Sequence, residues 1–246
     1  MKQQNQSGIS LLSNPEIKAP CWSCGETEVR QFCKACGKVQ PPLPVDYFAF
    51  FGLPRKLNID VEQLQTEFYE LSRRLHPDVA VRQNEREREW SLEQSSQLND
   101  AYRTLKDPIK RTEYVLRLEG VELEEQSKAA TEKARASGEV KKQVVPEDLL
   151  EEVFELNMQV EELRLSRRAG ENDPSLVKEL EARKVELERK SQALSDELRT
   201  YWKEWDSLSD TVPDQNRATV RNKMADLLNR RSYIRNLVRD VNETIE

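Results

Sequence analysis

Along most of this chain apolar residues recur every three or four positions, the period of a helix that buries one face. Between residues 58 and 118 the pattern predicts three helices. The first begins near Asn58 to Asp60, where capping residues precede Val61, Leu64, Phe68, Leu71 and Leu75. The second runs from Glu85 to Lys106, with Leu98, Ala101, Tyr102 and Leu105 as its stripe, and Pro108 ends it. The third runs from Ile109 to Leu118 and stops at Gly120. Three longer helices are expected beyond: Pro146 to Arg168, Pro174 to Leu208 and Asp214 to Thr244. Pro146 and Pro174 suit first-turn positions. Leu187, Leu194, Leu198, Tyr201, Trp205 and Leu208 make a heptad-like seam on the second of these, and Met224, Leu227, Ile234, Val238 and Val241 on the third. Sequential antiparallel helices with short turns form a three-helix bundle. The expected fold class is all-α.

The helix from Pro146 to Arg168 carries two apolar stripes. Leu149, Val153, Leu156, Val160 and Leu163 form one seam; Leu150, Phe154, Met158 and Leu165 form another. At 100° per residue the two lie about 140–150° apart. A bundle interface needs one seam, so the second must meet another helix, the preceding domain or a partner. Glu151, Glu155 and Glu162 flank it, which suits a partner whose apolar patch is edged by Lys or Arg.

Composition supports a helical, solvent-rich protein. Charged residues are 34% of the 246 and aromatics 7%, so the apolar seams are narrow. A mean hydropathy of −0.82 argues against a membrane span. The net charge of −6 argues against nucleic acid as the main partner. Residues 1–20 read as a disordered N-terminus. Ser10 to Ser13 is too short an apolar run for a signal peptide, and no arginine precedes Arg30, unlike a mitochondrial transit peptide. A bacterial-type cytoplasmic location is expected, with a mature mitochondrial form as the alternative. Pro41 to Pro44 reads as a stiff linker, and residues 121–145 as a second, solvated linker.

All four cysteines lie between residues 21 and 36. Cys21 and Cys24, then Cys33 and Cys36, form two C-x-x-C pairs eight residues apart, each followed by glycine. Two such turns facing one another give a tetrahedral four-thiolate site. The segment 21–40 has few large apolar residues, so bound metal must supply its stability. Structural zinc is the expected cofactor; iron in the same geometry and a pair of disulfides are the alternatives. Removing the metal is expected to unfold residues 21–39 and leave the following domain folded.

His76-Pro77-Asp78 contains the only histidine and falls where the first patterned helix stops. A catalytic role would need a nucleophile or partner beside His76, and no Ser or Cys motif or second histidine offers one. The tripeptide is instead expected to form an exposed loop between two antiparallel helices. Together with Asp46-Tyr47-Phe48 and Phe51-Gly52-Leu53, this arrangement resembles a J domain, here residues 45–120. The run Leu98-Asn99-Asp100-Ala101-Tyr102-Arg103-Thr104-Leu105, with Asp107, Pro108, Arg111, Glu113 and Tyr114, resembles a narrower group. That group is the HscB family, J-type co-chaperones of iron–sulfur cluster assembly. The likeness is specific in the J domain and loose over the bundle, residues 146–246.

The resemblance implies a protein that is not itself an enzyme. It implies that His76, Pro77 and Asp78, with Arg73 and Arg74, engage a DnaK/HscA-type chaperone and stimulate its ATPase. It also implies that the bundle binds an IscU-type scaffold through Leu150, Phe154, Glu155, Met158, Glu162 and Tyr233. Met158 stands where the family pattern has an acid. The helix before the loop is unusual for a J domain: Asp60, Glu62, Glu67 and Glu70 outnumber Arg73 and Arg74. A dedicated chaperone partner is expected over a generic one. The rival reading is a general J-type holdase that binds unfolded chains.

Overall fold

A computed structural model describes residues 20–27, 30–76, 84–121, 123, 149–171, 173–208 and 215–246. Among these, seven α-helices follow in order: α1 (Tyr47–Phe51), α2 (Val61–Leu75), α3 (Glu85–Lys106), α4 (Pro108–Leu118), α5 (Leu150–Arg168), α6 (Pro174–Ser207) and α7 (Gln215–Ile245). The only β pairing among the described residues is an isolated bridge between Phe32 and Val39. The expected all-α class holds. The expected linker at 121–145 falls almost wholly outside the described residues.

Three helix starts have a clear local cause. The Asp60 carboxylate accepts from the Glu62 and Gln63 N–H groups at the start of α2. Asn84 and Glu87 form a reciprocal capping box at the start of α3. Asp107 accepts from the Ile109 and Lys110 N–H groups, and Pro108 occupies the first turn of α4. In these three cases a short polar residue satisfies N–H groups that the helix cannot pair internally.

The chain divides into two compact units. The first holds residues 1–119 together with 202–218. Here α2 and α3 pack as a hairpin, with Phe68 stacked on Tyr102 at 4.1 Å between ring centroids. Leu64, Leu75, Leu98, Ala101 and Leu105 are buried along it. The other end of this unit is built by residues the family resemblance singled out. The Tyr47 N–H donates to the Tyr114 hydroxyl at 3.0 Å and the two rings stack. Buried Arg111 donates to the Leu105 carbonyl and faces the Trp202 ring. Burial lowers the Arg111 pKa, against the pull of Asp107 and Asp206. Asp206 accepts from the Leu57 and Asn58 N–H groups at 2.7 and 2.8 Å, fixing the loop that leads into α2. Arg217 lies over Trp205 and pairs with Glu119 at 2.8 Å.

The second unit holds residues 120–201 and 219–246 and is the three-helix bundle. Its core contains Leu149, Val153, Leu156, Val160 and Leu163 of the first stripe, packed with residues of α6 and α7 such as Leu180, Leu187, Ile234 and Val241. The periodicity places that stripe correctly. The compact units nevertheless cut across the segments drawn from sequence, because α6 and α7 contribute residues to both. On α6, Trp202 is buried with Leu198 and Trp205, while Tyr201 and Leu208 are only half-buried. The buried face therefore follows the 198–202–205 spacing in that turn.

Candidate functional sites

Three regions carry chemistry. The first is the cysteine module. Its four sulfurs lie within 4.8 Å of one another. Cys21 Sγ and Cys36 Sγ are 3.7 Å apart, and Cys24 Sγ and Cys33 Sγ 3.6 Å. A tetrahedral metal with metal–sulfur bonds of about 2.3 Å requires sulfurs about 3.8 Å apart, so the donor set fits a metal ion. The two turns are built alike. The Gly25 N–H donates to the Cys21 carbonyl and the Gly37 N–H to the Cys33 carbonyl, with φ of 79° and 71° at the two glycines. Those values lie in the left-handed region that glycine adopts freely.

Backbone N–H groups point at the sulfurs: Ser23 to Cys21 at 3.4 Å and Cys36 to Cys33 at 3.5 Å. Gln40, absent from the motif, adds a side-chain N–H to Cys21 Sγ at 3.4 Å. Burial opposes ionisation of Cys21, but the Ser23 and Cys24 N–H groups and the Cys24 and Cys36 thiols outweigh it, bringing its pKa down to about 6. Cys24 is pushed up to about 12. A backbone hydrogen bond at Glu26 favours its thiolate, but burial and the three neighbouring thiols prevail. Four thiolates this close repel one another unless a cation sits among them.

The module does not stand apart from the J domain. Gln31 Nε2 donates to the Phe50 carbonyl at 2.7 Å, and Gln94 Nε2 on α3 to the Gln40 carbonyl at 2.6 Å. Trp22 meets Trp90 edge-on at 5.8 Å, and Lys38 pairs with Glu87 at 3.6 Å. Both fall in the first compact unit. Pro41 to Leu43 are half-buried, as expected of a packed connection.

The second region is the end of the α2–α3 hairpin. His76 is the C-cap of α2, exposed and extended, with φ −61° and ψ 138°. Ser95 Oγ on α3 donates to the Leu75 carbonyl at 3.2 Å, tying down the last turn of α2. Pro77 and Asp78 lie outside the described residues. Arg73 and Arg74 are exposed in the same last turn, but Arg74 is engaged: its guanidinium lies 3.8 Å from the Phe32 ring centre, on the cysteine module. Sequence spacing gave no sign of that contact, because it joins residues far apart in the chain.

The third region is the outer face of α5. Leu150, Phe154, Met158 and Leu165 are 51, 66, 59 and 59% exposed. Glu151, Glu155 and Glu162 are exposed beside them, and Glu155 pairs with Arg183 at 3.1 Å. Tyr233 does not join this stripe. It is 4% exposed within the bundle core, and burial, with Asp240 nearby, raises its pKa. The reason is register: Tyr233 lies four residues before Leu237 and eight before Val241, on the inward seam of α7.

Comparison with known proteins agrees with this geometry. Residues 46–114 match the family model described as the DnaJ domain. The iron–sulfur cluster co-chaperone protein HscB homolog of Arabidopsis thaliana is 38% identical over 112 residues, 45% of this chain and 44% of that protein. The Mus musculus iron–sulfur cluster co-chaperone protein HscB is 35% identical over 124 residues, 48% of this chain and 53% of its own. The chain spans about half the length of the curated relatives it matches. The crystal structure of human co-chaperone protein HscB covers 92% of this chain and 98% of its own, with a TM-score of 0.62 at 23% identity, and shares the fold.

The α2–α3 hairpin ending at His76, matched over residues 46–114, makes this a J-domain protein. Over 112 to 124 residues, about half its length, the chain is similar to HscB-type co-chaperones.

Proposed function

We propose that this chain is a co-chaperone that brings an IscU-type iron–sulfur scaffold to a DnaK/HscA-type chaperone and stimulates that chaperone's ATPase. The hairpin end, with His76, Pro77, Asp78, Arg73 and Arg74, is the chaperone-binding element. The exposed face of α5, with Leu150, Phe154 and Met158 flanked by Glu155 and Glu162, receives the scaffold. Tyr233 belongs to the packing behind it. ATP chemistry resides in the partner, and this chain acts by binding. Holding both partners on one chain raises their effective concentration toward one another. The four cysteines would hold structural zinc, with iron as the alternative occupant. No described helix is long and apolar enough to cross a membrane, and a bacterial-type cytoplasmic setting is proposed.

One observation carries the scaffold assignment: α5 buries one apolar stripe completely and leaves a second, acid-flanked stripe exposed. Calorimetric titration tests it. Folded scaffold should bind the chain at micromolar concentration or tighter, and Phe154→Ala with Met158→Ala should abolish the heat. Equal affinity for denatured model proteins would instead identify a general holdase.

A further inference from the structure

Two of the four cysteines, Cys21 and Cys33, are buried, while Cys24 and Cys36 lie at the surface. Four thiolates around a divalent cation leave an excess of negative charge. At a buried sulfur that charge is costly unless N–H groups of the protein face it in place of water. At Cys21 one donor is the Ser23 backbone N–H, and another is the side chain of Gln40, whose Nε2 lies 3.4 Å from the sulfur.

Gln40 is 2% exposed and is fixed at three points. Its backbone N–H donates to the Gln31 carbonyl at 2.9 Å, next to the bridge between Phe32 and Val39. Its Nε2 also donates to the Lys38 carbonyl at 2.9 Å, which turns the N–H end of the amide, rather than the oxygen, toward Cys21. Its own carbonyl accepts from Gln94 Nε2 of α3 at 2.6 Å. On α3 a polar row is buried: Glu87, Ser91 and Gln94, at spacings of four and three. Glu87 meets Lys38 and Gln94 meets Gln40, so this face of the helix serves the module. An unbroken path of hydrogen bonds runs from the Cys21 sulfur through Gln40 to the J domain.

We propose that Gln40 is a positioning residue of the metal site, donating to the Cys21 sulfur, and that Gln94 of α3 holds it there, so that the J domain helps to retain the metal. This rests on the reading of the four cysteines as a metal site. Hydrogen bonds to a ligand orient it and tune its strength as a donor. The coupling is reciprocal: bound metal that stabilises the module's seat on α3 is itself held more tightly by that seat.

The test uses the full-length chain, with zinc affinity measured by competition against a chromophoric chelator and cobalt(II) as a spectroscopic probe. Gln40→Leu, similar in size and without a donor, should weaken zinc binding about tenfold. Gln94→Leu, which acts through the Gln40 carbonyl, should weaken it about fivefold. In the cobalt form Gln40→Leu should keep the tetrahedral d–d bands. Its sulfur-to-metal charge-transfer band should move to lower energy, because the sulfur has lost a hydrogen bond; Gln94→Leu should move that band less. Parent-like zinc affinity or an unmoved charge-transfer band in Gln40→Leu overturns the role of Gln40. Parent-like affinity in Gln94→Leu overturns the share of the J domain. Loss of the tetrahedral bands in Gln40→Leu would make Gln40 a residue the module needs to fold, and overturns the proposal as well. A parent chain that retains no zinc and gives no tetrahedral cobalt spectrum overturns the metal reading itself.

Discussion

Stripping metal from the cysteine module should weaken the J domain as well as unfold the module. The module is too small to fold on its apolar residues, so without metal its contacts to the hairpin are lost together. Two of these are hydrogen bonds between the module and the J domain, through Gln31 and Gln94. Each contributes about 1 kcal/mol net, and Gln94 is buried, so its loss costs more. The Trp22–Trp90 edge contact adds about 1 kcal/mol. Arg74 over Phe32 adds about 0.5 kcal/mol. The loss comes to about 4 kcal/mol, which for a unit of this size corresponds to about 12 °C in melting temperature. Chelation followed by thermal circular dichroism measures it, with tryptophan fluorescence reporting Trp22 and Trp90. A helical melt that stays within about 2 °C of the metal-loaded protein would refute the coupling and restore the independence expected from sequence.

The two faces of α5 should respond in opposite ways. Leu163→Ala, on the fully buried face, should cost about 3 kcal/mol in chemical denaturation. Phe154→Ala should change stability by less than about 0.5 kcal/mol and weaken scaffold binding instead. Asp206→Ala should lower stability by about 2 kcal/mol, since the Leu57 and Asn58 N–H groups lose a charged acceptor. Tyr114 gives a pH signature: burial first, and Asp46 next among the groups that raise it, push its pKa from 10.0 to about 12. The folded state therefore holds this proton longer than the unfolded state. Its contribution is complete below pH 10 and is lost as pH rises from 10.0 toward about 12. Tyr114→Phe should flatten that alkaline decline in denaturation curves taken across this range.

The parts of the fold set by local rules were legible in the sequence. A capping residue and apolar period placed α2, apolar period placed α3, and Pro108 separated α3 from α4. The unequal stripes of α5 were readable for the same reason, since 100° per residue separates them without tertiary knowledge. Features that depend on approach between distant segments were not. Asp206 bonding the loop at Leu57, Arg111 facing Trp202 and Arg74 stacking on Phe32 have no periodic signature. Tyr233 was readable in principle, because its spacing to Leu237 and Val241 places it on the seam. The family resemblance instead assigned it to the scaffold-binding surface, which burial in the core corrects. The cysteine spacing defined the candidate metal site, whereas the module's seat against α3 rests on Gln94 and Trp90, ordinary residues of a helix face.

The most direct test of the account is the ATPase rate of a purified HscA- or DnaK-type chaperone with an IscU-type scaffold present, comparing this chain with its His76→Gln variant and with Phe154→Ala. Strong stimulation is expected with the parent, none with His76→Gln, and loss of the scaffold-dependent part alone with Phe154→Ala. Equal rates for parent and His76→Gln across several chaperones would contradict it, and would make the loop after α2 no more than a turn.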